Sequence, residues 1–347
     1  MKLNKELHFI RANKAKFGGA EMYLSRLSTE LNKQNVKHRI VNSIFPKFLP
    51  SWLRAILFNL QVCITKSNKF YFSLDRITCP DVYRAGDGVH SVFLTVKKKS
   101  KLNLLHPIYL FLEKRCFQRA KRIITNSKMI RRQIITTYGV NAGKIKVVYN
   151  GINPKKMNYE KSFAKISNEF LIKKDHSILL YVGSGFKRKG VEEFLQIVAK
   201  LKKSNIQAFI LGKEKNIRYY QILAKNLNIE DQVIFTGPRE DVDDFYTISD
   251  IFLFPTRYEP FSNVVLEAMN FKNVVFTTRQ NGASEILDDE FVMDTSKDFS
   301  VVQKIDRLLS DKETLEIIKE NNYSKSKQFS IEKNLSETLK VINEVIN

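Results

Sequence analysis

The run Ser177-Ile-Leu-Leu-Tyr-Val-Gly is almost wholly apolar, as a strand covered on both faces must be. It is one of a series. Leu7-His-Phe-Ile, Lys37-His-Arg-Ile-Val, Asp81-Val-Tyr-Arg-Ala, Arg122-Ile-Ile-Thr and Ile145-Lys-Val-Val-Tyr come before it. Gln207-Ala-Phe-Ile-Leu-Gly, Gln232-Val-Ile-Phe-Thr-Gly, Ile251-Phe-Leu-Phe and Asn273-Val-Val-Phe-Thr-Thr follow. Between these runs lie stretches with helical spacing. Examples are Gly18 to Lys33, Trp52 to Thr65 (with Leu53, Ile56, Leu57, Leu60 and Ile64 on one face), Val191 to Lys203, Tyr219 to Leu227 and Asp241 to Ser249. Strand and helix in alternation predict a parallel sheet with helical crossovers. The alternation breaks once, at Asn150-Gly-Ile-Asn-Pro, and the polar residues 154–176 beyond it read as a linker. A chain of 347 residues also exceeds one typical domain. The expected architecture is α/β, with two Rossmann-like parallel-sheet domains over residues 1–153 and 154–330 facing across a cleft. A final helix over 331–347 is expected to pack back on the first domain.

Charge divides the two halves. Residues 1–150 hold 29 Lys and Arg against 7 Asp and Glu, hence +22, while residues 151–347 hold 29 against 29. The whole net charge therefore lies on the first half, which predicts that this half faces a polyanion. The densest stretch is Lys97-Lys-Lys-Ser-Lys, followed by Leu102-Asn-Leu-Leu-His-Pro-Ile-Tyr-Leu-Phe-Leu and Glu113-Lys-Arg-Cys-Phe-Gln-Arg-Ala-Lys-Arg. Basic clusters around Leu, Tyr and Phe suit an anionic membrane surface. The same helix could instead present a solvated basic face, with Ile108, Leu112 and Phe117 packed inward; Pro107 suits its first residue. No nucleic-acid motif accompanies the charge, so no nucleic acid is expected. No apolar run approaches the roughly 20 residues of a membrane span, and the start of the chain lacks a secretory pattern. Cys63, Cys79 and Cys116 show no metal-ligand spacing and form an odd set, so buried thiols in a reducing cytoplasm are expected.

Candidate chemistry sits at strand ends, where such sheets bind ligands. Phe17-Gly18-Gly19-Ala-Glu follows the first strand, and its glycines let backbone approach an anion at a helix N-terminus. It lacks the Gly-x-Gly-x-x-Gly spacing of a nicotinamide enzyme. Gly183-Ser-Gly-Phe-Lys-Arg-Lys-Gly offers Arg188 and Lys189, with Lys187, to a diphosphate. Glu259 and Glu267 lie eight positions apart, in Arg257-Tyr-Glu-Pro-Phe-Ser-Asn-Val-Val-Leu-Glu-Ala-Met. The backbone amides of Phe261, Ser262 and Asn263 would open the helix between them, a setting that favours negative charge. Two carboxylates flanking such a site can accept from the vicinal hydroxyls of a sugar and a ribose. Any surface turn with a capping glutamate would give the same bare spacing.

This strand-turn-helix resembles the Glu-x7-Glu signature of the retaining glycosyltransferases of family four, which have the GT-B fold. The likeness covers most of the chain and is strongest over residues 178–285. Asp81-Val-Tyr-Arg-Ala-Gly-Asp-Gly-Val-His, the loop after Gly185 and the basic segment after Val96 look like the lipopolysaccharide core glucosyltransferase subgroup. The resemblance implies that Glu259 contacts the donor sugar, that Glu267 contacts the ribose, and that Asp87 reaches the sugar near its anomeric carbon. His90 is second to Asp87 there, and a lone histidine is more often structural. Arg239, in Thr236-Gly-Pro-Arg-Glu-Asp-Val, would contact base or phosphate, whereas Asp241, Asp243 and Asp244 read as first-turn charges. The usual family arginine directly after the first glycine is Ser184 here, so its role passes to Arg188.

Together these features predict a hexosyltransferase on the cytoplasmic face of the membrane, and the resemblance implies that it retains configuration. By the resemblance it would use a UDP-sugar, with UDP-glucose first and UDP-galactose or an N-acetylhexosamine left open, and a lipid-linked core saccharide as acceptor. No metal or cofactor is expected, since no Asp-x-Asp pair is suitably placed and a basic cradle can neutralise the departing diphosphate. A polyprenyl-diphosphate-linked acceptor, a UDP-sugar epimerase and a non-catalytic anionic-lipid-binding module are the alternatives.

Overall fold

The computed structural model describes residues 6–14, 19–97, 103–202 and 205–346. Its contacts divide the chain into two compact units, Met1–Gly151 with Ile331–Asn347, and Ile152–Ser330.

In the first unit the elements are β1 (Leu7–Ile10), α1 (Gly19–Lys33), β2 (His38–Val41), α2 (Ser51–Ile64), β3 (Phe70–Ser73), β4 (Val82–Arg84), α3 (His90–Lys97), α4 (Leu105–Arg119), β5 (Arg122–Thr125), α5 (Lys128–Tyr138) and β6 (Ile145–Val147). The six strands form one sheet in the order β2-β1-β3-β4-β5-β6, parallel throughout. Leu24, Leu27 and Leu31 fall on one face of α1, at helical spacing, and join Leu7, Phe9, Phe70 and Phe72 in the core. Leu335, Leu339 and Ile342 enter the same core from the closing helix, Ile331–Ile346. Each such side chain contributes roughly 1.5–3 kcal/mol by leaving water. α5 shows why local sequence sets its ends: the Ser127 hydroxyl accepts from the Ile130 N–H at 3.2 Å, and Gly139 closes the helix at φ +63°.

The second unit follows with α6 (Tyr159–Phe170), β7 (Ser177–Val182), α7 (Phe186–Lys189), α8 (Val191–Val198), β8 (Ile206–Leu211), α9 (Ile217–Asn226), β9 (Val233–Gly237), α10 (Val242–Ile248), β10 (Ile251–Phe254), α11 (Asn263–Asn270), β11 (Val274–Thr278), β12 (Val292–Met293), α12 (Val301–Ser310) and α13 (Lys312–Ser326). Its sheet has the order β12-β11-β10-β7-β8-β9, again all parallel. The inner strands β8 and β10 are buried along their whole length, as their largely apolar runs require.

Three expectations need correction. The polar stretch 154–176 is not an extended linker: Asn158 caps α6 there by accepting from the Lys161 N–H at 3.0 Å, and Phe163 and Ile166 bury its inner face. α4 begins at Leu105, so Pro107 stands within the first turn and not at its start. Cys63 and Cys79 are joined as a disulfide, with Cα atoms 5.8 Å apart, and only Cys116 is a free, buried thiol. The odd count concealed a pair that α2 and the loop before β4 bring together.

Candidate functional site

The second unit gathers most of the predicted residues at the carboxyl ends of β7 and β10. After β7 the chain turns through Gly183, Ser184 and Gly185 into the single turn of α7, which carries Lys187, Arg188 and Lys189. α7 fits against the end of β10 because of Gly190. Its φ is +82°, and a Cβ there would lie 1.9 Å from the Pro255 carbonyl oxygen. The Arg188 carbonyl accepts from the Arg257 N–H at 2.9 Å, and the Arg188 guanidinium donates to the Tyr258 carbonyl at 2.8 Å. The same guanidinium is ion-paired with the Glu259 carboxylate.

Lys189 lies beside this pair, its ammonium 5.4 Å from the centre of the Phe254 ring. Burial lowers its pKa below the ordinary lysine value; Glu259 raises it, Arg188 lowers it, and Glu267 raises it. One ammonium therefore feels both members of the Glu-x7-Glu pair. Glu267, on α11, also accepts from the buried Tyr246 hydroxyl at 3.4 Å. Two half-buried carboxylates, a guanidinium and an ammonium thus form one cluster, able to hold hydroxyls on the carboxylates and an anion on the cations.

The loop carrying Glu259 is held by residues that no local pattern revealed. The Glu259 N–H donates to the Gln280 carbonyl and its own carbonyl accepts from the Gly282 N–H, both at 2.9 Å. Asn281 is fully buried. Its Oδ1 accepts from the Ser262 N–H at 3.2 Å and the Ala283 N–H at 3.1 Å. Arg257 clamps the start of the loop onto Glu192 and Glu193 of α8, at 2.9 and 2.8 Å.

Two assignments change. The Ser262 amide is committed to Asn281 Oδ1, so it is not free to donate to an anion. Arg239 is taken by carboxylates, at 2.6 and 2.8 Å from Glu169 and 2.8 and 2.9 Å from Asp241, which makes it a brace between α6 and α10. Asp243 and Asp244 pair with Lys155 and Lys165, as first-turn charges do. A cavity of about 590 Å³, lined by His176, Asp250 and Lys319 among others, lies at the amino ends of β7 and β10 and holds none of the predicted residues.

In the first unit, Asp87 follows β4 on an exposed turn, 3.9 Å from Arg11, which also pairs with Glu21 and Asp75. The turn is anchored from below. Glu113 is wholly buried and accepts from Arg76, from the His90 N–H (both at 2.8 Å) and from the Tyr138 hydroxyl at 2.6 Å. Arg76 also donates to the Gly88 carbonyl at 3.1 Å. His90 is packed inward, its Nε2 3.2 Å from His106 Nδ1, and burial first, then Arg76, lowers its pKa to about 4. Gly19 opens α1, whereas Gly18 lies outside the described residues, as do Lys98 and Lys99. Among the described residues no group of three His, Cys, Asp or Glu side chains is placed to hold a metal ion.

Known proteins carry the same arrangement of sequence. Residues 162–325 match the model of glycosyl transferases group 1, and residues 84–156 that of glycosyltransferase family 4. The chain carries glycosyltransferase group 1 and family 4 domains, which together span about two thirds of it. Lipopolysaccharide glucosyltransferase WaaG of Escherichia coli K12 is 34% identical over 121 residues, which cover 34% of this chain and 32% of that protein. The chain spans 32% to 56% of the length of four such relatives. The crystal structure of WaaG superposes with a TM-score of 0.80 at 20% identity, covering 97% of this chain and 99% of that one. Anabaena HepE, in complex with UDP and glucose, gives 0.75 at 17% identity, covering 98% and 100%. The likeness to these structures is one of fold, the two-sheet GT-B fold.

Proposed function

We propose that this chain transfers glucose from UDP-glucose, with retention of configuration, to a lipid-anchored lipopolysaccharide or lipooligosaccharide core saccharide. The observation that carries the reading is the single cluster of Arg188, Lys189, Glu259 and Glu267. In it, Glu259 holds the sugar hydroxyls, Glu267 the ribose, and the two cations the departing diphosphate. As the sugar–phosphate bond breaks, positive character grows at the anomeric carbon and negative charge on the diphosphate, so fixed cations favour the transition state over the ground state. The acceptor hydroxyl attacks on the face the diphosphate leaves, and the leaving phosphate oxygen takes its proton. Asp87 orients the sugar. The complexes named for HepE support the donor class, and the E. coli relative's name supports the acceptor class.

Membrane association at the inner face of the cytoplasmic membrane belongs to the same reading. The first unit exposes Ile44, Phe48, Ile64, Leu104 and Phe111; Lys47 precedes Phe48 in the chain and the Arg115 guanidinium lies 5.7 Å from the centre of the Phe111 ring. Apolar anchors next to cations suit a lipid headgroup layer. Among the described residues no helix is long and apolar enough to cross a membrane.

The test is transfer by purified protein from a panel of nucleotide sugars to extracted core acceptor, with and without EDTA. Glucose incorporation from UDP-glucose, undiminished in EDTA, is expected. Donor turnover without acceptor would favour an epimerase, and strict metal dependence would contradict the cationic cradle.

A further inference from the structure

Among the described residues, the first unit contains a buried cation paired with no carboxylate. Arg84, the last residue of β4, is 6% exposed, yet among the described residues no carboxylate pairs with it. Its guanidinium lies over the Tyr23 ring, 3.6 Å from the centroid, and donates to Asn150 Oδ1 at 2.7 Å. Arginines elsewhere in both units behave differently: Arg11, Arg76, Arg188 and Arg257 each meet a carboxylate. A desolvated cation without a partner is unfavourable, and buried arginines are rare unless paired.

A second polar atom nearby lacks a partner. Asn126, just after β5, is 2% exposed; its Nδ2 donates to the Gly86 carbonyl at 3.0 Å, but its Oδ1 accepts from nothing among the described residues. Arg84, Gly86, Asn126 and Asn150 therefore cluster at the carboxyl ends of β4, β5 and β6, where parallel sheets bind ligands. A guanidinium fork matches an oxyanion, and the amide oxygen next to it matches a hydroxyl.

We infer that Arg84, floored by Tyr23 and braced by Asn150, is the specificity-determining subsite for a phosphate monoester on the acceptor saccharide, with Asn126 taking an adjacent hydroxyl. The inference rests on the glycosyltransferase reading above and adds to it the charge class of the acceptor. Gly86 supplies a probe of the subsite. A Cβ there would lie 2.1 Å from the Arg84 Nη1, at the far end of a flexible side chain, so Gly86→Ala displaces the guanidinium at small cost to the fold.

The experiment uses full-length protein, Arg84→Gln and Gly86→Ala. In the first arm, thermal unfolding is followed in sodium phosphate against sodium chloride at equal ionic strength, with UDP saturating. The wild type should gain about 2 °C or more from phosphate, and both variants should gain nothing. In the second arm, transfer is compared for a phosphorylated core saccharide and its dephosphorylated form. The wild type should prefer the phosphorylated acceptor by about tenfold or more in kcat/KM, and either variant should remove that preference. An equal phosphate shift in the variants, no wild-type shift with UDP bound, or equal transfer to the two acceptors by the wild type would overturn the proposal. A phosphate shift confined to the wild type, without transfer from any nucleotide sugar, would leave the subsite standing and remove the glycosyltransferase reading instead.

Discussion

Arg188 and Glu259 are ion-paired, and the same guanidinium also holds the Tyr258 carbonyl at 2.8 Å. The basic turn after β7 and the acidic loop after β10 are therefore one mechanical unit. Removing either partner should both free the other charge and loosen the loop. Arg188→Ala is expected to reduce transfer by about a hundredfold or more, as removal of a stabilising donor at a developing oxyanion does. Its kcat should fall more than its donor affinity, which steady-state kinetics with varied UDP-glucose will separate.

Asn281 governs the same loop without touching the proposed ligand. Asn281→Ala leaves the buried Ser262 and Ala283 N–H groups without their acceptor, at a cost of about 1–3 kcal/mol each. Chemical denaturation should show reduced stability, and transfer should fall with it. A variant as stable and active as the wild type would show that the loop holds itself.

In the first unit, Glu113→Gln keeps the shape of the side chain but removes its charge, leaving buried Arg76 without its ion-pair partner. Breaking such a pair costs about 3–5 kcal/mol, so a marked fall in melting temperature is expected. Tyr138→Phe removes only one of the three donors and should cost about 1 kcal/mol.

The buried imidazole of His90 gives a pH dependence. Its pKa is near 4 in the folded protein, against an ordinary 6.5, so the unfolded chain binds the extra proton between these values. The contribution is fully present above pH 6.5 and is lost as pH falls to about 4, amounting to at most about 3 kcal/mol. Melting curves across that window should show a steeper acid loss for the wild type than for His90→Asn.

Charge reversal at Lys97, Lys98 and Lys99, or Phe48→Asp, should release the protein from anionic vesicles while leaving transfer to a soluble acceptor. Sedimentation with vesicles measures this. Unchanged binding would remove the interfacial reading.

The sequence disclosed what lies in local order. The apolar runs of β7, β8 and β10 announced strands covered on both faces, and the eight-residue spacing of Glu259 and Glu267 announced the loop between β10 and α11. β3, Phe70-Tyr-Phe-Ser, was missed although it is as short as β1 and β10, which were read. α6 escaped because its buried face is small, with Phe163 and Ile166 its only buried apolar side chains. The residues that hold the site in place escaped for another reason. Asn281 lies 19 positions from Ser262, and Glu113 lies 37 from Arg76, so only the folded sheets make them neighbours. Arg239 pairs with Asp241 two positions on and with Glu169 70 positions away, and only the second partner needed three dimensions to be seen.

The most direct measurement is glucose transfer from UDP-glucose by Glu259→Ala beside the wild type, with melting temperatures taken on both. A loss of about a hundredfold or more in kcat/KM with the fold retained is the expected result. Near-normal turnover by a folded Glu259→Ala would contradict the assignment of this carboxylate to the donor sugar, and with it the site.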